Sequence, residues 1–403
     1  MSDVLPIGRI GRYEVLGRLA SGGMAEVFVA RATGPRDVAR RVVVKRLLPH
    51  VVSDPAKVEA FVQEARLTSR LSHPNLCAVQ DFGDEGGAFH LVLEWVRGPS
   101  LRKVIERAKE TRRAVPVAIT ARLIASLASA LHHAHVATDD AGRVLGIVHR
   151  DVTPENVIVG WNGVPKLIDF GIAKSVIDPR KTEVGVLKGK LAFISPEQYR
   201  GQALDGRSDV FALALCAFEL LTGESVYERD SEFETVAAIV VDPSVPSVRE
   251  RRSDVPIEIE EIVQRGLAKD RDARFASADE MARALEGWLA TRGEPVGDRE
   301  IAAWLGGLFP GEAAKEPALD RTPLDARPVT ARIRTRSEEM HALQLAADAE
   351  LDAEEMAKTE RARRARIVVA MVLAALAALG VIAWAVARPR AAAGATPVLE
   401  SAG

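Results

Sequence analysis

The strongest constraint on this chain is a pair of short motifs, "HRDVTPEN" at residues 149–156 and "KLIDFG" at residues 166–171. The first motif holds a carboxylate, Asp151, suited to proton transfer and an amide, Asn156, suited to a metal. The second places Asp169 directly after a short run that predicts a strand. Two acidic groups and an amide around one pocket can bind Mg²⁺ through oxygen ligands. The fold must therefore bring the two motifs together.

A second group of residues, nearer the N-terminus, is typical of a phosphate site. The strand-like run "YEVLGRLA" leads into "SGGMAEV", whose glycines can expose backbone N–H groups to phosphates. Lys45 ends a later strand-like run, and Glu64 lies in the single helix predicted in this region. A lysine aimed at phosphates needs a carboxylate to hold it, and a helix packed on the sheet can supply one. Alone, a glycine turn or a surface lysine would be ordinary.

The order of predicted elements indicates an α+β fold with two lobes. Residues 13–96 contain β-rich runs broken by glycines and polar turns, with one helix that starts after Asp54. From about residue 116 helices dominate, and "SDVFALALCAFELLTG" is predicted to begin at a cap, Ser208, and to end at Gly223. We therefore expect a small β-rich lobe, a larger helical lobe and a junction near "EWVRGPSL".

Taken in order, these motifs resemble those of bacterial eukaryotic-like (Hanks-type) serine/threonine protein kinases of the membrane-anchored kind. The resemblance covers residues 13–288 and includes the glycine-rich loop, strand lysine, helix glutamate, HRD loop, DFG and a Pro-Glu end to the activation segment. It implies a bilobal protein kinase-like fold with a β-rich N-lobe and a helical C-lobe. It also implies ATP and Mg²⁺ as cofactors and phosphoryl transfer to Ser/Thr hydroxyls of protein substrates, autophosphorylation included.

The resemblance assigns a role to each motif residue. Asp151 would accept the proton of the substrate hydroxyl, while Asn156 and Asp169 would hold Mg²⁺. ATP would contact residues of the first lobe and the hinge, namely Leu19, Gly22, Gly23, Val27, Lys45, Glu64, Glu94 and Val96. Structural roles would fall to Asp209, which anchors the catalytic loop backbone, and to Glu197, which pairs with Arg274.

The activation segment is expected to be controlled by phosphorylation. Arg150 precedes the catalytic aspartate, and its guanidinium would lie near this segment. A phosphate would give the guanidinium a bidentate partner and order the loop. The candidate phosphosites are Ser175 and Thr182, and Thr182 is favoured because it lies mid-segment beside basic residues; both could also be ordinary polar loop residues.

Several positions depart from the family pattern. Alanines, Ala20 and Ala25, replace the first and third glycines of the glycine-rich loop, and Val43 replaces the alanine two residues before the strand lysine. Thr153 stands where the catalytic loop usually has a lysine, and Lys190 stands where the activation segment usually has a threonine. We expect this exchange to keep one ammonium and one hydroxyl beside the catalytic aspartate, with Lys190 and Thr153 as catalytic residues; alternatively, Lys190 points to solvent.

Composition excludes other classes of protein. The chain has 403 residues, a formal net charge of −2 and 47% hydrophobic residues, which is ample for a packed core and gives no case for a nucleic-acid partner. Its two cysteines, Cys77 and Cys216, lie in apolar stretches and argue against a disulfide framework.

The C-terminal third predicts a membrane anchor. Residues 289–336 read as a docking helix and flexible linker, and residues 337–366 as a charged juxtamembrane helix. Residues 367–387 are 21 residues without a charge, which span about 30 Å as a helix, the hydrocarbon thickness of a bilayer. Basic residues concentrate before this run, so residues 388–403 would form a short extracytoplasmic tail. The kinase domain would then lie in the cytoplasm on a single-pass inner-membrane anchor.

Two alternatives accompany this interpretation. The first is a catalytically weak or dead kinase-fold scaffold anchored to the same membrane, since the glycine-rich loop is altered. The second concerns assembly, because the juxtamembrane helix could pair as a homodimer along a weak apolar seam or remain a single solvated helix. The seam consists of Met340, Leu343, Ala347 and Leu351.

Overall fold

The computed structural model describes residues 8–34, 38–85, 87–171, 191–242, 244–293, 295–315 and 319. These residues form a β-rich lobe followed by a helical lobe. The strands are β1 Gly8–Ile10, β2 Tyr13–Ser21, β3 Ala25–Thr33, β4 Ala39–Leu47, β5 Val79–Glu85, β6 Ala88–Glu94, β7 Val157–Val159 and β8 Pro165–Leu167. The helices are α1 Pro49–Val52, α2 Pro55–Thr68, α3 Leu101–Glu110, α4 Val117–His135, α5 Pro196–Tyr199, α6 Gly206–Thr222, α7 Glu232–Val240, α8 Val248–Arg251, α9 Ile257–Gly266, α10 Ala278–Ala290 and α11 Asp298–Leu308.

The N-lobe is built on one antiparallel sheet with the strand order β1-β2-β3-β4-β6-β5. Its two faces have separate cores because side chains alternate along each strand. One face carries Phe28, Val42, Val44 and Val92, which pack under the short β1 strand. The other face carries Lys45 and looks toward α2 and the C-lobe. The sheet therefore presents one apolar face and one face for the cleft.

Helix α2 is the single long helix among the described residues of the N-lobe, as the sequence predicted. Asp54 caps it by accepting a hydrogen bond from the backbone N–H of Ala56, and Pro55 takes the first helical position, where its missing N–H costs nothing. Phe61 and Ala65 of α2 pack into a core with Leu47 and Leu91 of the sheet. This packing fixes the orientation of Glu64, the residue between them on the buried face.

The C-lobe core surrounds two apolar helices, α4 and α6. Helix α6 is buried along nearly its whole length and ends at Gly223, whose φ of 74° is the left-handed conformation that glycine favours at a helix end. Its start differs from the sequence prediction, because the cap is Asp205 and the helix begins at Gly206. The hydroxyl of Ser208 instead donates to Glu197 at 2.7 Å. Ser208 therefore hydrogen-bonds to Glu197, a buried carboxylate distant in sequence from the start of the helix, and does not cap the helix.

The Glu197 carboxylate also forms an ion pair with Arg274, as the resemblance to protein kinases implied. The guanidinium donates to both carboxylate oxygens at 2.7 and 2.9 Å, and its side chain is completely buried. The same guanidinium donates to the backbone carbonyls of Arg207 and Ala268. A buried charge pair is stable only when such extra hydrogen bonds satisfy it. The pair ties the end of the activation segment to α6 and to the segment before α10.

Helix α11 completes the C-lobe beyond the last residues of α10. Ile301, Leu305 and Leu308 on one face of α11 are buried in the same core as α4 and α6. The backbone carbonyl of Asp298 lies against Gly163, where a side chain would leave no space for it. The folded lobe therefore includes residues well past residue 288.

Within the described part of the chain, one helix has the length and hydropathy to cross a bilayer. This is α4, Val117–His135, and 61% of its most apolar window is buried inside the lobe. An apolar helix with that burial serves as the core of the C-lobe. The membrane run predicted at residues 367–387 lies outside the described residues, as do the juxtamembrane helix and, apart from Leu319, the linker beyond residue 315.

Candidate active site

Lys45 joins the sheet to both acidic groups of the cleft. It lies on the central strand β4, and its ammonium is 2.9 Å from Glu64 Oε1 of α2 and also bonded to Asp169. Burial lowers the pKa of Lys45, but the two carboxylates outweigh burial and raise the pKa above its ordinary value. The ammonium therefore stays charged. A cation held between two acids in this way is positioned to meet phosphates that enter the cleft.

Asp169 and Asp151 come together through two tight backbone turns. Asp169 follows β8 in a left-handed conformation, with φ of 62°. Two residues later the N–H of Gly171 donates to the carbonyl of His149 at 2.9 Å, and the Gly171 Cα lies so close to Asp151 that a side chain there would collide with it. The DFG segment is thereby fastened directly beneath the catalytic loop.

A buried carboxylate, Asp209 of α6, holds the catalytic loop. It accepts hydrogen bonds from the backbone N–H groups of His149 and Arg150, at 2.8 and 2.9 Å, and from His135 of α4 at 2.8 Å. Burial raises the pKa of Asp209, but the hydrogen bonds from His135 and from the backbone N–H groups outweigh burial and lower the pKa. The ionised carboxylate thus fixes the backbone immediately before Asp151.

Arg150 needs this support because its backbone is strained. Its φ of 68° places a residue with a Cβ in the left-handed region, which costs roughly 1–2 kcal/mol. Asp209 holds its N–H, and the side-chain amide of Gln198 donates to its carbonyl at 2.9 Å. Gln198 lies in α5, directly after the Pro-Glu end of the activation segment. The catalytic loop is therefore braced from the activation segment as well as from α6.

Asp151, the predicted catalytic aspartate, is oriented by the asparagine of its own loop. The amide nitrogen of Asn156 donates to Asp151 Oδ2 at 2.6 Å and to the Asp151 carbonyl at 2.8 Å. Because both bonds use the nitrogen, the carbonyl oxygen of the Asn156 amide is the atom that suits a cation. Asp169 contributes a carboxylate to the same pocket. One carboxylate and one amide match Mg²⁺, which usually keeps waters and substrate phosphates as its remaining ligands. Among the described residues, no cluster of three or more acidic, His or Cys side chains competes for a metal.

A charged triad beside the catalytic loop was missed by sequence reasoning. Arg102 of α3 donates to Glu155 at 2.7 Å and also to Glu219, a buried carboxylate of α6. Burial raises the pKa of Glu155, but Arg102 outweighs burial and lowers it. Burial also raises the pKa of Glu219, and there the arginine only partly offsets it. The three residues lie far apart in sequence, so no local sequence pattern predicts that they are in contact.

The glycine-rich turn keeps open space beside its two glycines. The N–H of Gly22 donates to the carbonyl of Ala25 at 2.9 Å and closes the turn. Neither Gly22 nor Gly23 has a protein atom close enough to collide with an added methyl group. Packing among the described residues does not require glycine at either position, and the open space leaves room for a ligand to approach the backbone. Glu26 of the following strand, β3, forms salt bridges with Arg18 of β2 and Arg46 of β4 and so links the three strands.

The remaining predicted nucleotide residues line the edge of the sheet. Leu19 is 39% exposed, and Val27 is half-buried opposite Lys45. Val43 lies opposite Leu93, which precedes the hinge residues Glu94 and Val96. The Glu94 side chain turns away to accept hydrogen bonds from Lys166, at 2.7 Å, and from the N–H of Ala78. Its part in a nucleotide site would therefore be played by its backbone.

Thr153 is buried close to the catalytic aspartate. The residue is 1% exposed, and no group among the described residues meets its hydroxyl with good hydrogen-bond geometry, although the hydroxyl lies near enough to the Glu155 carboxylate to help lower the pKa of that group. Lys190, the residue expected to meet it, lies outside the described residues, as do the candidate phosphosites Ser175 and Thr182.

Comparison with protein families gives one match over most of the chain. Residues 13–285 match the family model described as the protein kinase domain. Among curated relatives, the tyrosine-protein kinase MasK of Myxococcus xanthus is 36% identical over 306 residues, covering 76% of this chain and 47% of the relative. The serine/threonine-protein kinase PknD of Mycobacterium tuberculosis is 34% identical over 294 residues, covering 72% of this chain and 42% of the relative. The chain thus spans less than half the length of these two curated relatives.

Solved structures show the same fold. The kinase domain of Mycobacterium tuberculosis PknI superposes with a TM-score of 0.53 at 25% sequence identity. The match covers 71% of this chain and 99% of that domain.

The buried imidazole of the HRD motif makes a prediction about pH. Burial lowers the pKa of His149 despite the nearby carboxylates, and its ring accepts from the N–H of Asp151 while Nε2 faces the carbonyl of Ile168. The native state thus keeps His149 neutral, whereas the unfolded chain gains a proton below the ordinary pKa of 6.5. Stability must therefore fall as pH decreases through that value, by at most about 1.4 kcal/mol per pH unit from this group.

We expect His149→Phe to flatten the pH dependence of stability between about pH 6.5 and 5, by roughly 1 kcal/mol per pH unit. The phenyl ring keeps the packing on Phe170, whose ring centroid lies 4.5 Å away. Urea unfolding at a series of pH values measures the slope, and the comparison is between slopes because the lost hydrogen bond also lowers stability at every pH. Equal slopes for wild type and variant would show that His149 does not stay neutral in the fold.

Proposed function

The chain belongs to the protein kinase family, of the bacterial Hanks type, and on that premise we propose that it transfers the γ-phosphoryl group of Mg-ATP to serine and threonine hydroxyls of proteins, its own included. The observation that carries this proposal is the contact chain of Glu64, Lys45 and Asp169 across the cleft, next to the oriented carboxylate of Asp151. Phosphoryl transfer needs little covalent chemistry from a protein, so positioned charges supply most of the catalysis.

Each residue of the site has a part in this reaction. Lys45 would bind the α- and β-phosphates, and Glu64 would keep its ammonium in place. A bound Mg²⁺ held by Asn156 and Asp169 would neutralise charge on the phosphates. Asp151 would orient the substrate hydroxyl and accept its proton as the new oxygen–phosphorus bond forms and the bond to the β-phosphate oxygen breaks. Asp151 needs no raised pKa for this late proton transfer.

Serine and threonine are proposed as acceptors because of the catalytic loop. The "TPEN" sequence after the HRD motif resembles the Ser/Thr class, and PknD bears that name, although MasK is named as a tyrosine kinase. An acidic residue in this loop, Glu155, would by its charge favour basic residues in a substrate. The structure argues against a strong preference, because Arg102 already pairs with the Glu155 carboxylate.

The test is a transfer assay with the full chain, labelled Mg-ATP and a general protein substrate. We expect labelled phosphoserine and phosphothreonine, and a fall of about 100-fold or more in Asp151→Asn, because a positioned base contributes about that much. Asp279→Asn, which disturbs only an exposed pair with Arg283, is the matched control. Mapping the autophosphorylated chain would report on Ser175 and Thr182. Nucleotide binding without labelled product would instead favour the scaffold, and phosphotyrosine alone would overturn the acceptor class.

The exchange of Thr153 and Lys190 gives a second test. We propose that Lys190 reaches Asp151 and the γ-phosphate and that the buried Thr153 hydroxyl, which no group among the described residues meets with good hydrogen-bond geometry, hydrogen-bonds to it. A cation on developing phosphate charge is worth about 100-fold in rate. Lys190→Met should therefore lower kcat by about that factor with little change in ATP affinity.

Thr153→Lys combined with Lys190→Thr should restore more activity than either single change, because the two residues act as a unit. The full double-mutant cycle of kcat measures this coupling. Additive losses in the double variant would contradict the proposal.

The apolar run at residues 367–387 supports a further proposal, a single-pass anchor in the inner membrane with the kinase domain in the cytoplasm. Deletion of residues 367–403 should move the protein from the membrane pellet to the soluble fraction and leave kcat toward a peptide within about twofold, since none of the deleted residues is assigned to the site. Arg388→Ala with Arg390→Ala is the control that keeps the apolar run. A deleted chain that still pellets with membranes would contradict the anchor.

A further inference from the structure

The chain continues past the family match as a segment fastened to both sides of the cleft. Helix α11 and the residue after it belong to the C-lobe, where Phe309 is buried. The Phe309 ring meets Trp161 edge-on, with ring centroids 5.9 Å apart, and Arg107 lies over the same ring. The guanidinium of Arg113 donates to the carbonyl of Gly307 at 2.6 Å. These contacts fix the point from which the next residues depart.

The segment then passes the hinge. Arg97 directly follows the hinge residue Val96, and its guanidinium donates to the backbone carbonyls of Ala313, at 3.0 Å, and Lys315, at 3.4 Å. Both acceptors are main-chain atoms, so the contact depends on the path of the chain and not on the side chains at positions 313 and 315. The hinge thus tethers the segment between the two lobes.

Leu319 reaches the N-lobe sheet at Gly17 of β2. A Cβ placed on Gly17 would lie only 2.4 Å from the Cβ of Leu319 and 3.1 Å from its Cδ1. No side chain can therefore occupy position 17 while Leu319 is in place. The backbone of Gly17 is not in the left-handed region, so packing against Leu319, and not backbone conformation, excludes a larger residue there.

The strand register shows which face of the sheet Leu319 covers. Gly17 lies opposite Val29, and Val29 lies opposite Val43. Directly paired residues share a face of the sheet, and so do residues two apart on one strand. Val43 therefore lies on the same face as Lys45, and so does the row from Gly17 across Val29. Leu319 packs on the face that looks into the nucleotide cleft.

We propose that the residues Phe309–Lys315 together with Leu319, here called the C-terminal strap, form a wall of the nucleotide site, with Leu319 as a positioning residue for the purine end of ATP. The inference rests on the proposed kinase function and extends it, since the family match ends at residue 285. Gly17, Val29 and Val43 form a row of paired residues across the sheet. An apolar side chain packed on this row narrows the nucleotide cleft at its open edge beside the hinge. It also links nucleotide affinity to residues that follow the kinase domain.

The glycine beneath Leu319 offers a test that leaves the motif residues untouched. Gly17→Ala adds one methyl group where Leu319 lies, so it should displace the strap, and Leu319→Ala should remove the Cγ and Cδ atoms that pack on the same face of the sheet. We expect each variant of the full chain to raise the Kd of a fluorescent ATP analogue by about five- to tenfold, the effect of losing part of one half-buried leucine. In the proposed reaction, KM for ATP should rise equally while kcat stays unchanged, because the transferring phosphate is remote from Leu319.

The decisive comparison is the double variant. If both changes act on one contact, Gly17→Ala with Leu319→Ala should bind the analogue no more than about twofold more weakly than either single variant. Amide hydrogen exchange of residues 309–315 should speed up in all three, whatever the nucleotide does. Gly306→Ala is the matched control, a glycine-to-alanine change on α11 with no protein atom near the new methyl group. Its nucleotide affinity should match that of the wild type, and its melting temperature should be equal or slightly higher, because alanine favours the helix more than glycine does.

Two results would overturn this inference and leave the proposed kinase function intact. One is a double variant whose rise in Kd equals the product of the two single rises. That result would mean that the methyl group at position 17 acts on the nucleotide by itself. The other is equal affinity of the Leu319→Ala variant and the wild type for the analogue, in an assay where the wild type does bind it. A wild-type chain that binds no nucleotide would refute the proposed kinase function and this inference together, so the failures are distinguishable.

Discussion

The site depends on one buried negative charge, the carboxylate of Asp209. It lies in the C-lobe core between α4 and α6, where an unpaired ion would be very costly. Two backbone N–H groups and His135 compensate it, and those N–H groups belong to the two residues that precede Asp151. The direction of the catalytic carboxylate is therefore set from the hydrophobic core, the most rigid part of the lobe. The strained backbone of Arg150 persists because this support and Gln198 hold it from both ends.

Charge compensation across the cleft connects the two lobes. Lys45 comes from the sheet, Glu64 from α2 and Asp169 from the segment below, so their contact requires all three elements to be in place. The arrangement observed places the acids directly on the ammonium, where the phosphates of a nucleotide would compete for the same charge. Affinity for phosphate and closure of the cleft are thus linked through one side chain. The same principle governs Arg102, which is shared between an exposed and a buried carboxylate.

The strap extends this coupling to the hinge side. The lobes are joined by the hinge itself, and the strap contacts both of them, since Phe309 lies in the C-lobe core and Leu319 lies on the sheet. Because the contact at Gly17 excludes even a methyl group, it behaves as a tight joint and not as a loose covering. Motion of the sheet relative to the C-lobe must then move or detach Leu319. The opening of the nucleotide cleft would be tied to whatever acts on the chain after the kinase domain.

The sequence by itself determined the elements and the motif chemistry, because those depend on local spacing. The capped start of α2 at Asp54, the glycine end of α6 at Gly223, the placement of Asp151 and Asn156 in one loop and the position of Asp169 after the short strand β8 all follow from neighbouring residues. What only the tertiary structure decided are contacts between residues far apart in the chain. Ser208 looked like a helix cap but serves Glu197, Arg102 joins Glu155 to Glu219, and Gly17 is reserved for Leu319. The physical reason is that partner choice follows burial and distance in space, and neither periodicity nor spacing encodes which distant group will lie within hydrogen-bond or van der Waals reach.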